Sequence, residues 1–361
     1  MSSPDICIAG AGIMGLSLAL ELHHRGMRVT VLDQGAPLSE ASTAAAGMLA
    51  GGDPDNPPQL RPLSDLSLSL YPGYIARLHA LSGMHIPFHT NTTLQSLPHH
   101  VPTSSQTLTP VTPEELSHLL PQLIPGSRRF ILLEEHSLDP RELAAALLAS
   151  VRATGIDLRP HTPIRAVYSI GQTIEIHTPT GTLSTAIFVD CSGAWATTST
   201  LRPHLQVSPR KGQMLAVSLP PSFPLHFVLR TPEVYVVPRA VGPTPIRAVI
   251  GATVEDVGFD KTVHPADIAN LRDLAADMLP SLANAPELEA WAGLRPATPD
   301  GLPLIGALPD QQNRFLATGH YRNGILLAPA TAHVTAQLLC GETPSISLSA
   351  YSPDRTLPLA R

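Results

Sequence analysis

The chain has 361 residues, 43% of them hydrophobic and 14% charged, enough for one large or two moderate cores and too apolar for a disordered polymer. A formal charge of −6 with no basic run leaves no concentrated positive surface for nucleic acid. Three widely spaced cysteines (Cys7, Cys191, Cys340) without a C-x-x-C fit buried thiols in a reducing compartment better than a disulfide framework or a metal site.

The first unit reads strand, Gly-rich turn, helix, strand over residues 5–9, 10–15, 13–24 and 27–32, with Gly26 as a left-handed helix stop. Residues 6–22 are apolar enough to imitate a signal peptide. Residues 1–5, however, carry an acid and no Lys or Arg, and no apolar run reaches membrane-spanning length. A cytoplasmic protein with no membrane partner is expected. Small residues follow over 39–47, then a Pro-rich loop over 53–62 and a helical pattern over 63–81.

Short apolar pieces split by Pro and Thr fill 84–133, where Thr112-Pro113-Glu114-Glu115 forms a capping box and His99-His100 reads as a solvated pair. Asp139-Pro140-Arg141-Glu142 repeats the capping chemistry and opens a helix running to Gly155. Strand-like alternation then covers 157–159, 164–169, 173–178 and 183–190, and β-signals continue over 213–219, 233–238 and 246–251. A helix over 265–278 is followed by a strand at 314–318, a Gly-bounded turn and a long helix at 324–339. No His spacing suits a metal, because Pro87 between His85 and His89 spoils their shared helical face.

The two ends together predict an α/β fold: a Rossmann-type nucleotide domain made of residues 1–83, 134–204 and 296–361. An antiparallel-sheet α+β substrate domain, 84–133 and 205–295, is inserted into it.

Gly10-Ala11-Gly12-Ile13-Met14-Gly15 matches G-x-G-x-x-G between a strand and a helix. The first glycine makes the tight turn, the second lets backbone approach a pyrophosphate, and the third lets the helix pack on the strand. Asp33 ends the second strand, where an acid hydrogen-bonds a ribose hydroxyl and disfavours a 2′-phosphate. These residues do not separate FAD from NAD. The C-terminal strand, turn and helix favour FAD, since an NAD dehydrogenase rarely returns to the same domain at its end. Arg322 and the helix start at 324 would stabilise negative charge on a reduced flavin.

Further pieces carry a resemblance: 44–49 (AAAGML), 191–195 (CSGAW), 235–239 (YVVPR), 251–253 (GAT), 291–296 (WAGLRP) and 319–327 (GHYRNGILL). In this order they resemble the D-amino-acid oxidase and glycine oxidase group of FAD enzymes, most closely the glycine oxidases of thiamine-thiazole biosynthesis. Residues 53–133 resemble the group least. The resemblance implies FAD contacts at Gly10, Gly12, Ile13, Met14, Gly15, Asp33, Gln34, Ala41, Ser42, Ala46, Gly47, Met48 and Ile164. His320, Tyr321, Arg322, Asn323, Gly324, Ile325 and Leu326 would line the flavin ring. No cysteine follows Arg295-Pro296, so non-covalent FAD is expected.

Arg295 stands at the group's carboxylate-binding position, where its planar fork can grip an α-carboxylate through two hydrogen bonds. Tyr235, on a strand face with Glu233 and Val237, can share that carboxylate. Glu233 occupies a place where some glycine oxidases carry histidine.

The expected reaction is hydride transfer from a small amino acid (glycine, sarcosine or a small D-amino acid) to flavin N5. Hydrolysis of the imine then gives the 2-oxo acid and ammonia, and dioxygen is reduced to hydrogen peroxide. Family resemblance implies a homotetramer. A dehydrogenase with another electron acceptor and a non-catalytic FAD-binding subunit are the alternatives.

Overall fold

The computed structural model describes residues 4–97, 109–196, 206–220, 223, 225–239, 247–309 and 311–357. His99-His100, the expected boundary at 204/205 and the first residue of the 246–251 strand lie outside them.

Strand β1 (Ile6–Ala9), wholly buried, leads through the Gly-rich turn into helix α1 (Ile13–His24) and returns in β2 (Val29–Leu32). Gly26, at φ 81°, ends the helix: its N–H meets the His23 carbonyl while that of Met27 meets Leu22, the paired bonds of a left-handed cap. A short helix α2 (Ala41–Ala44) and the long α3 (Arg61–Ser82) come next. Then follow β3 (Thr93–Ser96), α4 (Pro113–Leu119) and β4 (Phe130–Leu133).

The capping box at Thr112 forms as its sequence predicts, with Glu115 N–H on the Thr112 hydroxyl and the Glu115 carboxylate on the Thr112 N–H. Helix α5 (Pro140–Arg152) stops short of Gly155 and is capped differently. Asp139 accepts from Arg141 N–H, but Glu142 turns away to His89, 3.4 Å off, so the expected box does not close.

Strands β5 (Asp157–Arg159), β6 (Ala166–Ile170), β7 (Thr173–Thr178), β8 (Gly181–Thr185) and β9 (Ile187–Asp190) correct one reading. Residues 183–190 are not one strand. The chain breaks at Ala186, so β8 closes a three-stranded β6-β7-β8 sheet while β9 pairs in parallel with β1. Beyond lie β10 (Ser208–Ser218), β11 (Val228–Arg230), β12 (Tyr235–Arg239), β13 (Arg247–Gly251) and helix α6 (Pro265–Met278). Strands β14 (Glu287–Ala297), β15 (Leu304–Leu308) and β16 (Gln311–Thr318) lead to helix α7 (Gly324–Leu339).

Two sheets organise these elements. The first runs β15-β16-β9-β1-β2-β5, parallel except for β15, with α1, α3, α5 and α7 packed in its main core. With its central strands β1 and β2 wholly buried, it reads as the doubly wound architecture that binds ligands at its carboxyl edge. The second runs β14-β10-β13-β12-β11-β3-β4, antiparallel apart from the β11·β3 pair, and its far face packs on α4 and α6. Strand β14 runs through the expected 295/296 boundary and was absent from the sequence reading as a strand.

Helix α7 contains Pro329, which has no N–H for the Ile325 carbonyl. Tyr71 of α3 donates its hydroxyl to that carbonyl at 2.5 Å. Ser67 donates to the Leu326 carbonyl and accepts from Ala330 N–H. A proline inside the first turns is thereby tolerated, and α3 holds the start of α7 in place.

Candidate active site

A cavity of about 530 Å³ lies between the carboxyl edge of the first sheet and one face of the second. Its walls come from the ends of β1, β2, β9 and β16 on one side and from β10, β12, β13 and β14 on the other. Every residue expected to hold the cofactor lines it except Gly15 and Leu326. Gly15 lies behind the wall because α1 packs on the turn there: an added Cβ would sit 1.9 Å from the Gly10 carbonyl oxygen. Leu326 points into the main core from α7.

The dinucleotide end is built from backbone. Gly10 has φ 96°, and a Cβ on it would stand 2.5 Å from the Cys191 carbonyl oxygen. Helix α1 starts at Gly12 with no side-chain cap and no acid in its first turn; Ser42 Oγ takes only the Ile13 N–H, at 2.9 Å. Helix α7 likewise starts without a side-chain cap or first-turn acid. Two positive helix ends therefore open on one cavity. Asp33 accepts from Ala11 N–H at 2.6 Å and Gly35 N–H at 2.8 Å, which leaves lone pairs for hydroxyl donors.

The opposite wall is built on glycines. Tyr235, Gly251, Met214 and Trp291 form one row across β12, β13, β10 and β14. On the neighbouring row, Arg295 lays its guanidinium over Gly212, where an added Cβ would meet Nη1 at 2.2 Å, so Gly212 provides its bed. Arg295 Nη1 donates to the carbonyls of Thr253 at 3.1 Å and Lys211 at 3.4 Å. Among the described residues no carboxylate pairs with it. Burial pushes the Tyr235 hydroxyl above its ordinary value, and Arg295, which also hydrogen-bonds it, Arg239 and Arg322 pull it only partly back. It remains a protonated donor.

His320 is among the residues lining the cavity; it is 2% exposed, and its Nε2 is hydrogen-bonded to Thr331 Oγ1 at 3.0 Å. Burial lowers its pKa to about 3, which keeps the ring neutral. Glu233 does not share the strand face of Tyr235: β12 begins at Tyr235, and Glu233 sits exposed in the Thr231–Val234 turn at the cavity rim. Tyr321 takes a left-handed φ of 47°, and Arg322 lies 5.7 Å from the centre of its ring.

The model of the FAD dependent oxidoreductase family matches residues 5–338. The chain belongs to this family. The bifunctional protein ThiO/ThiG of Trichormus variabilis is 35% identical over 97% of this chain, which spans only 55% of that protein's length. The glycine oxidase of Pseudomonas aeruginosa is 33% identical, covering 97% of this chain and 99% of its own. The crystal structure of glycine oxidase from Geobacillus kaustophilus superposes with a TM-score of 0.91 at 28% identity, over 99% of this chain and 100% of that one.

FAD is thus the cofactor of this oxidoreductase, and the residues present fit it. The uncapped start of α1 suits its pyrophosphate, that of α7 the ring edge where negative charge develops, Asp33 its ribose, and the glycine-backed walls a flat ring. Segment Ala46–Met48 is clamped by the buried Arg239, which donates to the Ala46 and Leu138 carbonyls, both at 2.8 Å.

Sequence reasoning missed a further part of this flavoenzyme's cavity wall: Arg230, 5% exposed, which is bonded to Gln95, 3.1 Å from Glu135 and 3.7 Å from Asp53. Burial raises the Glu135 carboxyl despite Arg230. Its three partners come from three distant segments, so no local pattern announces it.

Proposed function

We propose that this flavoenzyme oxidises glycine or a closely related small amino acid, giving the 2-oxo acid (glyoxylate from glycine), ammonia and hydrogen peroxide. One observation carries the reading: a guanidinium with no carboxylate partner among the described residues, beside a protonated phenol, in the wall of the cofactor cavity. Arg295 would grip the substrate carboxylate with its free edge, and Tyr235 would donate a further hydrogen bond to it. Arg322, beside the start of α7, would stabilise negative charge at the ring edge. Bound FAD supplies the two-electron acceptor. The chain's own contribution is orientation of the α-carbon and exclusion of other poses.

The reading includes non-covalent FAD held by the residues named above, with the first sheet as cofactor unit and the second as substrate unit. Its support is the place of the Gly-rich turn on β1 and of Arg295 and Tyr235 on β14 and β12. Supply of the thiamine thiazole pathway, a cytoplasmic setting and a homotetramer follow from the resemblance to glycine oxidases. No helix among the described residues is long and apolar enough to cross a membrane.

Turnover of the purified chain with glycine, sarcosine, D-alanine and D-proline under air tests the proposal. Peroxide in step with 2-oxo acid is expected. Turnover only with an added non-oxygen acceptor would favour a dehydrogenase, and no turnover with any of them would leave a cofactor-binding subunit.

A further inference from the structure

Arg295 poses a problem that the wall of the cavity does not solve by itself. A guanidinium has five N–H donors on a flexible stem, and a carboxylate clamp works only if that stem is fixed before the substrate arrives. Arginines at such sites are commonly fixed by an acid, which would also consume the charge. Here the fixing groups are two neutral carbonyls, those of Lys211 and Thr253.

Both carbonyls belong to residues whose side chains meet on one carboxylate. Thr253 donates its hydroxyl to Glu255 Oε1, and Lys211 Nζ lies 3.2 Å from Glu255 Oε2. Lys211 is fully buried, with Asp260 as a second, more distant acid at 3.9 Å. Gln213 completes the network: its side chain donates to Glu255 at 2.9 Å and to Asp267 at 2.6 Å, and its N–H reaches the Thr253 hydroxyl at 2.8 Å. The backbones agree, since Glu255 and Lys211 exchange two 3.0 Å hydrogen bonds. Side chains alternate along β10, so Lys211 and Gln213 face away from the cavity while Gly212 between them carries the guanidinium.

We propose that Glu255 is a positioning residue for the carboxylate clamp: by tying down Lys211 and Thr253 it holds the two carbonyls that aim the Arg295 guanidinium. The charge layout has a physical logic. The acid that orders the site sits one layer behind the sheet, where it is neutralised by Lys211, so Arg295 keeps its own charge for the ligand. Burial alone would raise the Glu255 carboxyl, but the bonds from Thr253, Gln213 and Lys211 outweigh it and hold the group ionised. Loss of Glu255 would leave Lys211 buried without its nearer counter-ion and remove the acceptor that holds the Thr253 side chain, and a displacement on the ångström scale at such a site weakens function by about tenfold or more.

The inference rests on the carboxylate reading of Arg295, and acetate, a carboxylate that cannot be oxidised by this route, separates the two. Acetate affinity is read from the perturbation of the bound flavin's spectrum in wild type, Glu255→Ala, Glu255→Gln, Arg295→Ala and the Glu255→Ala/Arg295→Ala pair. Flavin content is measured alongside. Glu255→Ala should weaken acetate roughly tenfold, Glu255→Gln less, and the double variant should bind no more weakly than Arg295→Ala alone, because one residue acts through the other.

Should Glu255→Ala fail to hold flavin, Glu255→Gln carries the comparison. Wild-type affinity in the Glu255 variants, or a double variant weaker than Arg295→Ala by the full Glu255 factor, would overturn the positioning role alone. Wild-type holoenzyme with no saturable acetate effect would overturn the reading of Arg295 and this inference with it.

Discussion

Tyr235 and Gly251 face each other across β12 and β13, and the absent side chain at 251 is what gives the phenol its place. An added Cβ there would stand 2.5 Å from the Tyr235 hydroxyl and 2.8 Å from Met214 Cγ. Gly251→Ala should therefore displace the hydroxyl and act like Tyr235→Phe. Each should raise the glycine KM about tenfold, the worth of one hydrogen bond to a charged group. Steady-state kinetics on the two variants checks this, and an unchanged KM in Gly251→Ala would show that the hydroxyl is placed by something else.

Gly10→Ala should cost the protein its cofactor. A left-handed φ strains any side chain there, at about 1–3 kcal/mol, and the new methyl would strike the Cys191 carbonyl. The purified variant is expected to be colourless or to need a large excess of FAD. Wild-type flavin content would contradict the close approach of β9 to the turn.

How much of this was legible beforehand depended on whether the cause was local. Helices α1, α6 and α7 start and stop where the sequence places them, because glycine, proline and the apolar period punctuate them. Strand β14 was not recognised as one, though the Arg295 segment was: a run of Glu, Trp, Gly, Arg and Pro shows no alternation, and only its pairing with β10 makes it extended. The division of 183–190 between two sheets is also set by tertiary partners, since nothing local at Ala186 decides which sheet each half joins. The same holds for the His320 ring, whose partner Thr331, eleven residues on, no local pattern announces. The Lys211 side chain faces away from the cavity, but its carbonyl reaches the guanidinium.

Tyr71→Phe and Ser67→Ala should each destabilise the protein by about 1–3 kcal/mol, because the first leaves the Ile325 carbonyl, which Pro329 cannot serve, without a donor and the second removes a buried hydroxyl bonded to the Leu326 carbonyl and the Ala330 N–H. Thermal unfolding of the holoenzyme measures it. Unchanged Tm values would mean that the first turns of α7 satisfy themselves.

His320 should make stability fall with acid. Its folded pKa of about 3 lies below the ordinary 6.5, so the unfolded chain binds the extra proton first. The stability due to the neutral ring is full above pH 6.5 and is lost progressively down to about pH 3, with about 2 kcal/mol gone by pH 5. His320→Gln, which can still bond Thr331, should lose correspondingly less stability between pH 7 and pH 5 in denaturant titrations. Parallel pH profiles for the two proteins would mean the ring is not held neutral.

Anaerobic addition of glycine to the yellow holoenzyme is the most direct test of cofactor and clamp together. The flavin absorbance of wild type is expected to bleach, while Arg295→Ala keeps its colour and bleaches at least a hundredfold more slowly at the same glycine concentration, in line with a lost charge-assisted clamp. A chain that stays colourless in excess FAD, or an Arg295→Ala variant that bleaches as fast as wild type, would contradict it.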